Sequence, residues 1–129
     1  MNLQERLALT AKIRRTSAPP VLSTPINDDI HTVVLASSAG DNTIVVSPGG
    51  AGFVVVEILL WQGTGAQDWV LRNGPNTLLQ MAAVPVGSGL VLGYAAEGKH
   101  HFRVDAGQPL VLNLSIGSLV TGFVKTRFQ

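Results

Sequence analysis

Short runs of β-branched and leucine residues, separated by turns that contain glycine, occupy the chain from His31 to the C-terminus. Runs of this kind, bounded by Gly, Pro, Asn and Ser, are typical of β-strands. About nine of them follow one another at the spacing of roughly 8–12 residues that sandwiches and barrels show. No helical pattern separates them, which argues against a parallel α/β sheet. We therefore expect an all-β fold, an antiparallel β-sandwich or barrel. The predicted strands are residues 31–36, 43–47, 53–61, 68–72, 77–81, 90–94, 100–104, 110–115 and 119–128.

The beginning of the chain has a different pattern. Asn2 followed by Glu5 resembles the capping box that opens a helix, and leucines follow at helical spacing. Three prolines between residues 19 and 25 then interrupt any helix and stiffen the chain. We therefore divide the chain into an extended or partly helical N-terminal arm with a proline-rich strap, residues 1–29, and a β-sandwich domain, residues 30–129.

The composition indicates that part of the apolar surface contacts another chain. Charged residues make up only 13% of the sequence and hydrophobic residues 46%, whereas a typical globular protein has about 25% charged residues. A small domain has much surface to cover, so some apolar side chains are expected to face a partner. No apolar run approaches the roughly 20 residues of a membrane-spanning helix, so we expect no membrane. The net charge of +1 gives no reason to expect nucleic acid.

The charge is distributed unevenly along the chain. Residues 1–20 contain four basic residues and one acidic residue, a balance of +3, and the remainder contains five basic and seven acidic residues, a balance of −2. A basic arm of this kind suits docking on an acidic surface, although a solvated terminus has the same composition. The arm residues that we expect to make the contact are Leu3, Arg6, Leu7, Lys12, Arg14 and Arg15.

The run at residues 53–61 is apolar on both of its faces. Strict alternation would put Val54, Val56, Ile58 and Leu60 on one face, toward the core. The opposite face is also mostly apolar, and it is either covered within the chain by a loop or the strap, or buried against a sister subunit. We predict the second, with Glu57 on that face needing a basic partner or water. The predicted oligomer interface is Phe53, Val55, Leu59 and Trp61.

Nothing in the sequence indicates catalysis. The absence of cysteine excludes disulfides and thiolate chemistry, and neither Gly63-Thr64-Gly65 nor Gly87-Ser88-Gly89 has the spacing and lysine of a phosphate-binding loop. His100 and His101 are adjacent, so in a strand their side chains point to opposite faces rather than to one metal. We expect no enzyme activity, no catalytic residues, no metal site and no cofactor. A cupin-like metal enzyme is the last of the alternatives.

A sugar-binding head is a second alternative. Exposed aromatic rings stack on sugars, and the candidates are Trp61, Trp69 and Tyr94. Trp69, beside Asp68 at a loop edge, is the best of these. Such a module would use the loops at residues 62–67 and 73–76.

Similar turn-and-strand segments are spread over about two thirds of the chain, at residues 39–46, 78–79, 87–92, 97–98, 106–115 and 119–124. They resemble segments of a family of small β-sandwich virion proteins of tailed bacteriophages. The resemblance implies a head decoration, or cement, protein that is often trimeric, with an antiparallel β-sandwich fold that is jelly-roll-like. The Lys99-His100-His101 segment and the N-terminal arm depart from the family's pattern.

From this resemblance we expect a structural virion protein, made in the host cytoplasm and located on the capsid surface. It would bind the major capsid protein and copies of itself, as a homotrimer, and would stabilise the head by bridging capsomers. The alternative is a receptor- or carbohydrate-binding head on a phage tail or fibre.

Overall fold

The fold was obtained as a computed structural model, which describes residues 29–46 and 50–128. Nine strands follow one another in this part of the chain, with no helix between them. Each of the nine predicted runs is a strand, and every bound lies within three residues of its prediction. The strands are β1 (Asp29–Ala36), β2 (Gly40–Val45), β3 (Phe53–Gln62), β4 (Gln67–Asn73), β5 (Asn76–Val84), β6 (Gly89–Leu92), β7 (Phe102–Val104), β8 (Leu110–Leu114) and β9 (Val120–Phe128).

The strands form two antiparallel sheets that pack face to face. Sheet A has five strands in the order β1-β9-β3-β6, with β7 also paired to β3, and sheet B has four in the order β2-β8-β4-β5. The chain changes sheet after β1, β2, β3, β5, β7 and β8, which is the connectivity of a jelly roll. The predicted antiparallel, jelly-roll-like β-sandwich is therefore confirmed.

The core lies between the sheets and consists of the inward side chains of both. In β8, Leu110, Leu112 and Leu114 lie in the main core, whereas on the other face Asn113 is partly exposed and Val111 is 6% exposed. Sheet A contributes the inward residues of β9, Val120 and Val124, which have no exposed surface. These side chains form one continuous apolar cluster, and its burial between the two sheets stabilises the sandwich.

A β-bulge in β3 changes which residues face the core. Val55 pairs with Thr126 and Glu57 pairs with Lys125, so Val56 is an extra residue on β3 without an opposite partner on β9. Before the bulge the core-facing residues have odd numbers, as at Val55, and after it they have even numbers, as at Ile58. Strict alternation along this strand is therefore broken at its middle.

Candidate interaction surface

The outer face of sheet A carries an exposed apolar patch that extends across four strands. Val33 of β1 pairs with Phe123 of β9, Phe123 pairs with Leu59 of β3, and Leu59 pairs with Val91 of β6. These four side chains therefore form one row on the surface of the sheet. In the next row, Leu35 and Trp61 both pair with Thr121. We call Val33, Leu35, Leu59, Trp61, Val91 and Phe123 the outer patch.

The outer patch is apolar and exposed to solvent, whereas the surface of a water-soluble protein is normally polar at such positions. Val33 and Leu35 are 75% and 74% exposed, the highest values among the large hydrophobic side chains that the structure describes, and Val91 is 63% exposed. Trp61 is 46% exposed, and Leu59 and Phe123 are partly buried by their neighbours. Contiguous exposed apolar residues of this kind mark interaction sites on soluble proteins.

The other half of the same face is covered within the chain. The connection between β6 and β7 lies over the start of β3, where Ala95 packs on Val54 and Val56 in a small cluster separate from the main core. The backbone N–H of Ala95 donates to the carbonyl of Val56 at 2.7 Å, and that of His101 donates to the carbonyl of Val55 at 2.9 Å. The boundary between the covered and open halves therefore coincides with the bulge.

An ionic network holds this connection to the sheet. Arg127 donates from Nε to Oδ1 of Asp29 at 2.7 Å and from Nη2 to Oδ2 at 3.1 Å, a two-point contact that is stronger than a single hydrogen bond. The hydroxyl of Tyr94 donates to Asp29 and accepts from Nη2 of Arg127 at 2.8 Å. The bonded guanidinium lowers the pKa of Asp29 below its ordinary value, and the bond to Asp29 raises the pKa of Tyr94. The network joins β1 and β9 to the connection.

Glu57 has the basic partner that its position requires. Nζ of Lys125 lies 3.5 Å from Oε1 of Glu57, and the same ammonium lies 5.3 Å from the centre of the Tyr94 ring. The pair forms the polar row next to the outer patch, so the apolar surface ends at a charged border.

The predicted interface on β3 is wrong for two of its four residues. Phe53 and Val55 lie in the main core, 1% and 0% exposed, because the bulge reverses the facing of the strand before Glu57. They are not available to a sister subunit. Leu59 and Trp61 do lie on the outer face, as predicted. The sequence analysis missed Val33, Leu35, Val91 and Phe123, and the available signal was the alternation of Val33 and Leu35 with Val34 and Ala36.

The six residues predicted for the capsid-binding arm lie outside the described residues. These are Leu3, Arg6, Leu7, Lys12, Arg14 and Arg15. Their contacts, like the boundary proposed at residue 29, remain predictions.

The outer face of sheet B is polar, in contrast to that of sheet A. Asp41 accepts hydrogen bonds from Arg72 and, at 2.7 Å, from Asn113, and these bonds lower its pKa, Asn113 contributing most. An open groove of about 450 Å³ is lined by Asp41 and Arg72, and a second groove of about 320 Å³ shares Thr43 and Pro109 with it. Gln108 lines both grooves, and no aromatic side chain lines either of them. They lack the ring that sugar stacking requires.

Trp69 is a core residue and not a sugar-stacking one. It is 2% exposed, and its indole N–H donates to Oε1 of Gln62 at 2.8 Å. Gln67 donates to the same oxygen at 3.0 Å and to the carbonyl of Ser118 at 2.6 Å. Its own Oε1 accepts from the backbone N–H of Gly117 at 2.9 Å. Gln62 and Gln67, expected in a binding loop, are therefore buried and join the β3–β4 and β8–β9 connections.

His101 makes a contact within its own connection, whereas His100 is exposed. The ring of His101 is hydrogen-bonded to the carbonyl of Gly93 at 2.6 Å, which is a contact within the β6–β7 connection. Among residues 29–46 and 50–128, no group of three or more His, Cys, Asp or Glu side chains is placed to hold a metal ion. In the same part of the chain, no helix has the length and apolar character to cross a membrane.

The geometry defines a jelly-roll sandwich with one polar and one partly apolar outer face. No protein-family model matches the chain, and comparisons with curated proteins and with solved structures gave no match. Function must therefore be argued from the surface itself.

Proposed function

We propose that the protein is a structural virion component, a homo-oligomeric capsid decoration protein of a tailed phage. The observation that supports this proposal most is the outer patch, six apolar side chains on one face of sheet A that nothing in the described part of the chain covers. An apolar surface of this kind is costly for a molecule that works alone and useful for one that works in an assembly.

The mechanism would be to bridge neighbouring capsomers. The rigid sandwich would present the outer patch to a protein surface, and Trp61 in the second row of the patch is a residue type that often anchors an interface. Each contact would contribute through burial of apolar area, at about 25 cal/mol per Å², and many copies on one particle would add avidity. The basic arm would extend the contact beyond the domain. A homotrimer on the capsid surface is the stoichiometry that the resemblance implies.

The proposal predicts that the outer patch is needed for binding to capsids. We would mix purified protein with empty capsids of the phage that encodes it and measure the bound fraction by co-sedimentation. Trp61→Lys should weaken binding by at least about tenfold, since it places a charge in the apolar contact. Thr43→Lys is the matched control, because Thr43 is exposed on the polar face of sheet B.

Equal binding by Trp61→Lys and the wild type would overturn the proposed role of the patch. Loss of binding in both lysine variants would instead indicate that added positive charge, rather than the patch, is what the capsid rejects. Deleting residues 1–25 tests the arm separately: the truncated protein should protect particles from heat less well than the full chain.

The receptor- or carbohydrate-binding alternative has less support from the described residues. Its best candidate, Trp69, is buried, and the hydroxyl of Tyr94 is held in the network with Asp29. The third aromatic candidate, Trp61, is exposed within the outer patch. The polar groove beside Asp41 and Arg72 is a further candidate site. Specific binding on a glycan array that is lost in Arg72→Ala and retained in Trp61→Lys would favour this alternative.

A further inference from the structure

The free edge of β1 is a second exposed feature of sheet A. β1 is the end strand of the sheet and pairs only with β9. All eight residues from Asp29 to Ala36 are paired without a register shift, so the opposite edge presents N–H and C=O groups at regular spacing. Among the described residues, no backbone group outside β9 bonds to this strand.

β1 also lacks the features that prevent edge strands from pairing with other chains. Natural edges are protected by bulges, prolines, lysines or short length. The end strands of sheet B, β2 and β5, both contain register shifts, and at the far edge of sheet A β6 and β7 have only four and three residues. The sequence of β1 has no proline, no lysine and no bulge, and the charge of Asp29 is neutralised by Arg127.

We infer that the edge of β1 binds a second copy of this chain, as an antiparallel β1–β1 pair across a two-fold axis perpendicular to sheet A. This inference deepens the proposed function and rests on its premise that the protein self-associates. A register centred on Val33 places the two Val33 side chains opposite each other on the outer face. Leu35 then lies opposite the partner's His31, and no like charges face each other.

The second copy suits this edge better than the chain's own arm does. An arm that folded back along β1 as a hairpin would bring the segment containing Pro19, Pro20 and Pro25 beside the strand. Proline has no N–H to donate to a ladder. A β1 strand from another copy supplies an N–H donor and a C=O acceptor at each alternate residue that faces the shared edge.

The pair would join the two outer patches into one surface. Because the two-fold axis is perpendicular to the sheet, both patches face the same side, and Val33 and Leu35 of each copy lie at the centre of the combined area. The contact links copies in pairs, so in a trimeric protein it would link neighbouring trimers. Such a link is one way to connect capsomers.

The test uses the full chain and compares hydrogen exchange at low and high protein concentration, with mass measured by sedimentation equilibrium. Alternate β1 amides, those on the free edge, should become protected only at the concentrations where paired copies form. Burial of the outer patch against another face would change the mass without protecting these amides.

Charge variants test the register. Val33→Lys should weaken pairing by about tenfold or more, because two ammonium groups would lie opposite each other. Mixing it with Val33→Glu should restore pairing in the mixture, since opposite charges then meet. Val91→Lys and Val91→Glu are the matched controls, because Val91 is similarly exposed at the far end of the same patch, and they should leave pairing unchanged both singly and mixed.

Three other results would each reject the β1–β1 pair, and each points to a different explanation. Protection of β1 amides that does not depend on concentration would show that the chain covers its own edge. Disruption by Val91→Lys equal to that by Val33→Lys would show that copies associate through the patch, which leaves the proposed self-association in place. A monomer at every concentration would reject the β1 pair, while capsid co-sedimentation would still decide the decoration role.

Discussion

Gly122 occupies a position in β9 where no other residue fits. Its φ is +150°, and a Cβ built there would lie 1.8 Å from the carbonyl oxygen of Leu59. The added Cβ would meet the backbone of Leu59 and Leu60, so β9 and β3 would have to separate to admit a methyl group. The glycine therefore permits the close approach of these two strands in the middle of sheet A.

We expect Gly122→Ala to lower the free energy of unfolding by at least about 3 kcal/mol, because a backbone clash adds to an unfavourable φ. Chemical denaturation checks this value. Gly93→Ala is the control, since Gly93 has no neighbour within 4 Å of an added Cβ, and it should change stability by less than about 0.5 kcal/mol. Similar losses in both variants would contradict the steric explanation.

Gln62 is a buried polar side chain whose hydrogen bonds stabilise the interior. Its Oε1 accepts from both Trp69 and Gln67. Gln62→Leu would leave the indole N–H without its acceptor in an apolar interior, and we expect a loss of about 2–3 kcal/mol. Gln80→Leu, at an exposed position in β5, should cost under about 0.5 kcal/mol. Equal unfolding midpoints for the two variants would show that the network contributes little.

Among the elements, β1 depends on the ion pair at its first residue. The pKa of Asp29 is lower in the folded state, so its ion pair stabilises the fold above the unfolded-state pKa of about 3.9. The stabilisation is lost as the pH falls through the folded-state pKa. The hydrogen bond from Arg127 is the largest cause of the shift, and the Asp29 side chain is well buried.

Asp29→Asn should therefore reduce stability by about 1–3 kcal/mol at neutral pH and progressively less below about pH 4. Urea denaturation between about pH 2 and pH 7 would measure the difference from the wild type. Glu97→Gln, in the exposed β6–β7 connection, is the control and should show no comparable pH dependence. A stability difference between Asp29→Asn and the wild type that stays constant across this pH range would contradict the assignment of the effect to the ionisation of Asp29.

The number and position of the strands could be predicted, because local signals specify them. β-branched runs and glycine turns report on a few neighbouring residues at a time. The facing of Phe53 and Val55 could not be predicted in this way, because the bulge at Val56 depends on pairing with Thr126 and Lys125, more than 60 residues away in sequence. A tryptophan beside a loop is compatible with either stacking on a ligand or burial, and the Gln62 acceptor that permits the burial of Trp69 lies on another strand.

At the scale of the whole molecule, the two outer faces differ in chemistry. Sheet B presents Asp41, Thr43, Arg72 and Asn113, whereas the open half of sheet A presents the outer patch. The composition predicted an apolar excess but could not locate it, because location depends on strand order. Since β1, β9, β3 and β6 are neighbours only in space, the patch is assembled from four distant parts of the sequence.

Self-association through apolar contacts and backbone pairing should withstand salt. Raising NaCl from about 0.1 M to about 1 M screens ionic contacts almost completely, yet we expect the apparent dissociation constant to rise by less than about threefold. Ammonium sulfate should tighten association, because it strengthens apolar burial. Sedimentation velocity measures both effects. Weakening by more than about tenfold in NaCl would identify charge as the driving force instead.

The extra residue at Val56 has a consequence for how this chain can change over time. Val55 and Glu57 already pair with the consecutive residues Thr126 and Lys125, so deleting the Val56 codon would leave a regular strand in which Val55 and Ile58 still face the core. The deletion would remove the packing of Val56 on Ala95 and the hydrogen bond from Ala95 to the carbonyl of Val56. Loss of one residue at this position therefore keeps Leu59 and Trp61 on the outer face, and related chains with the same fold should accommodate it.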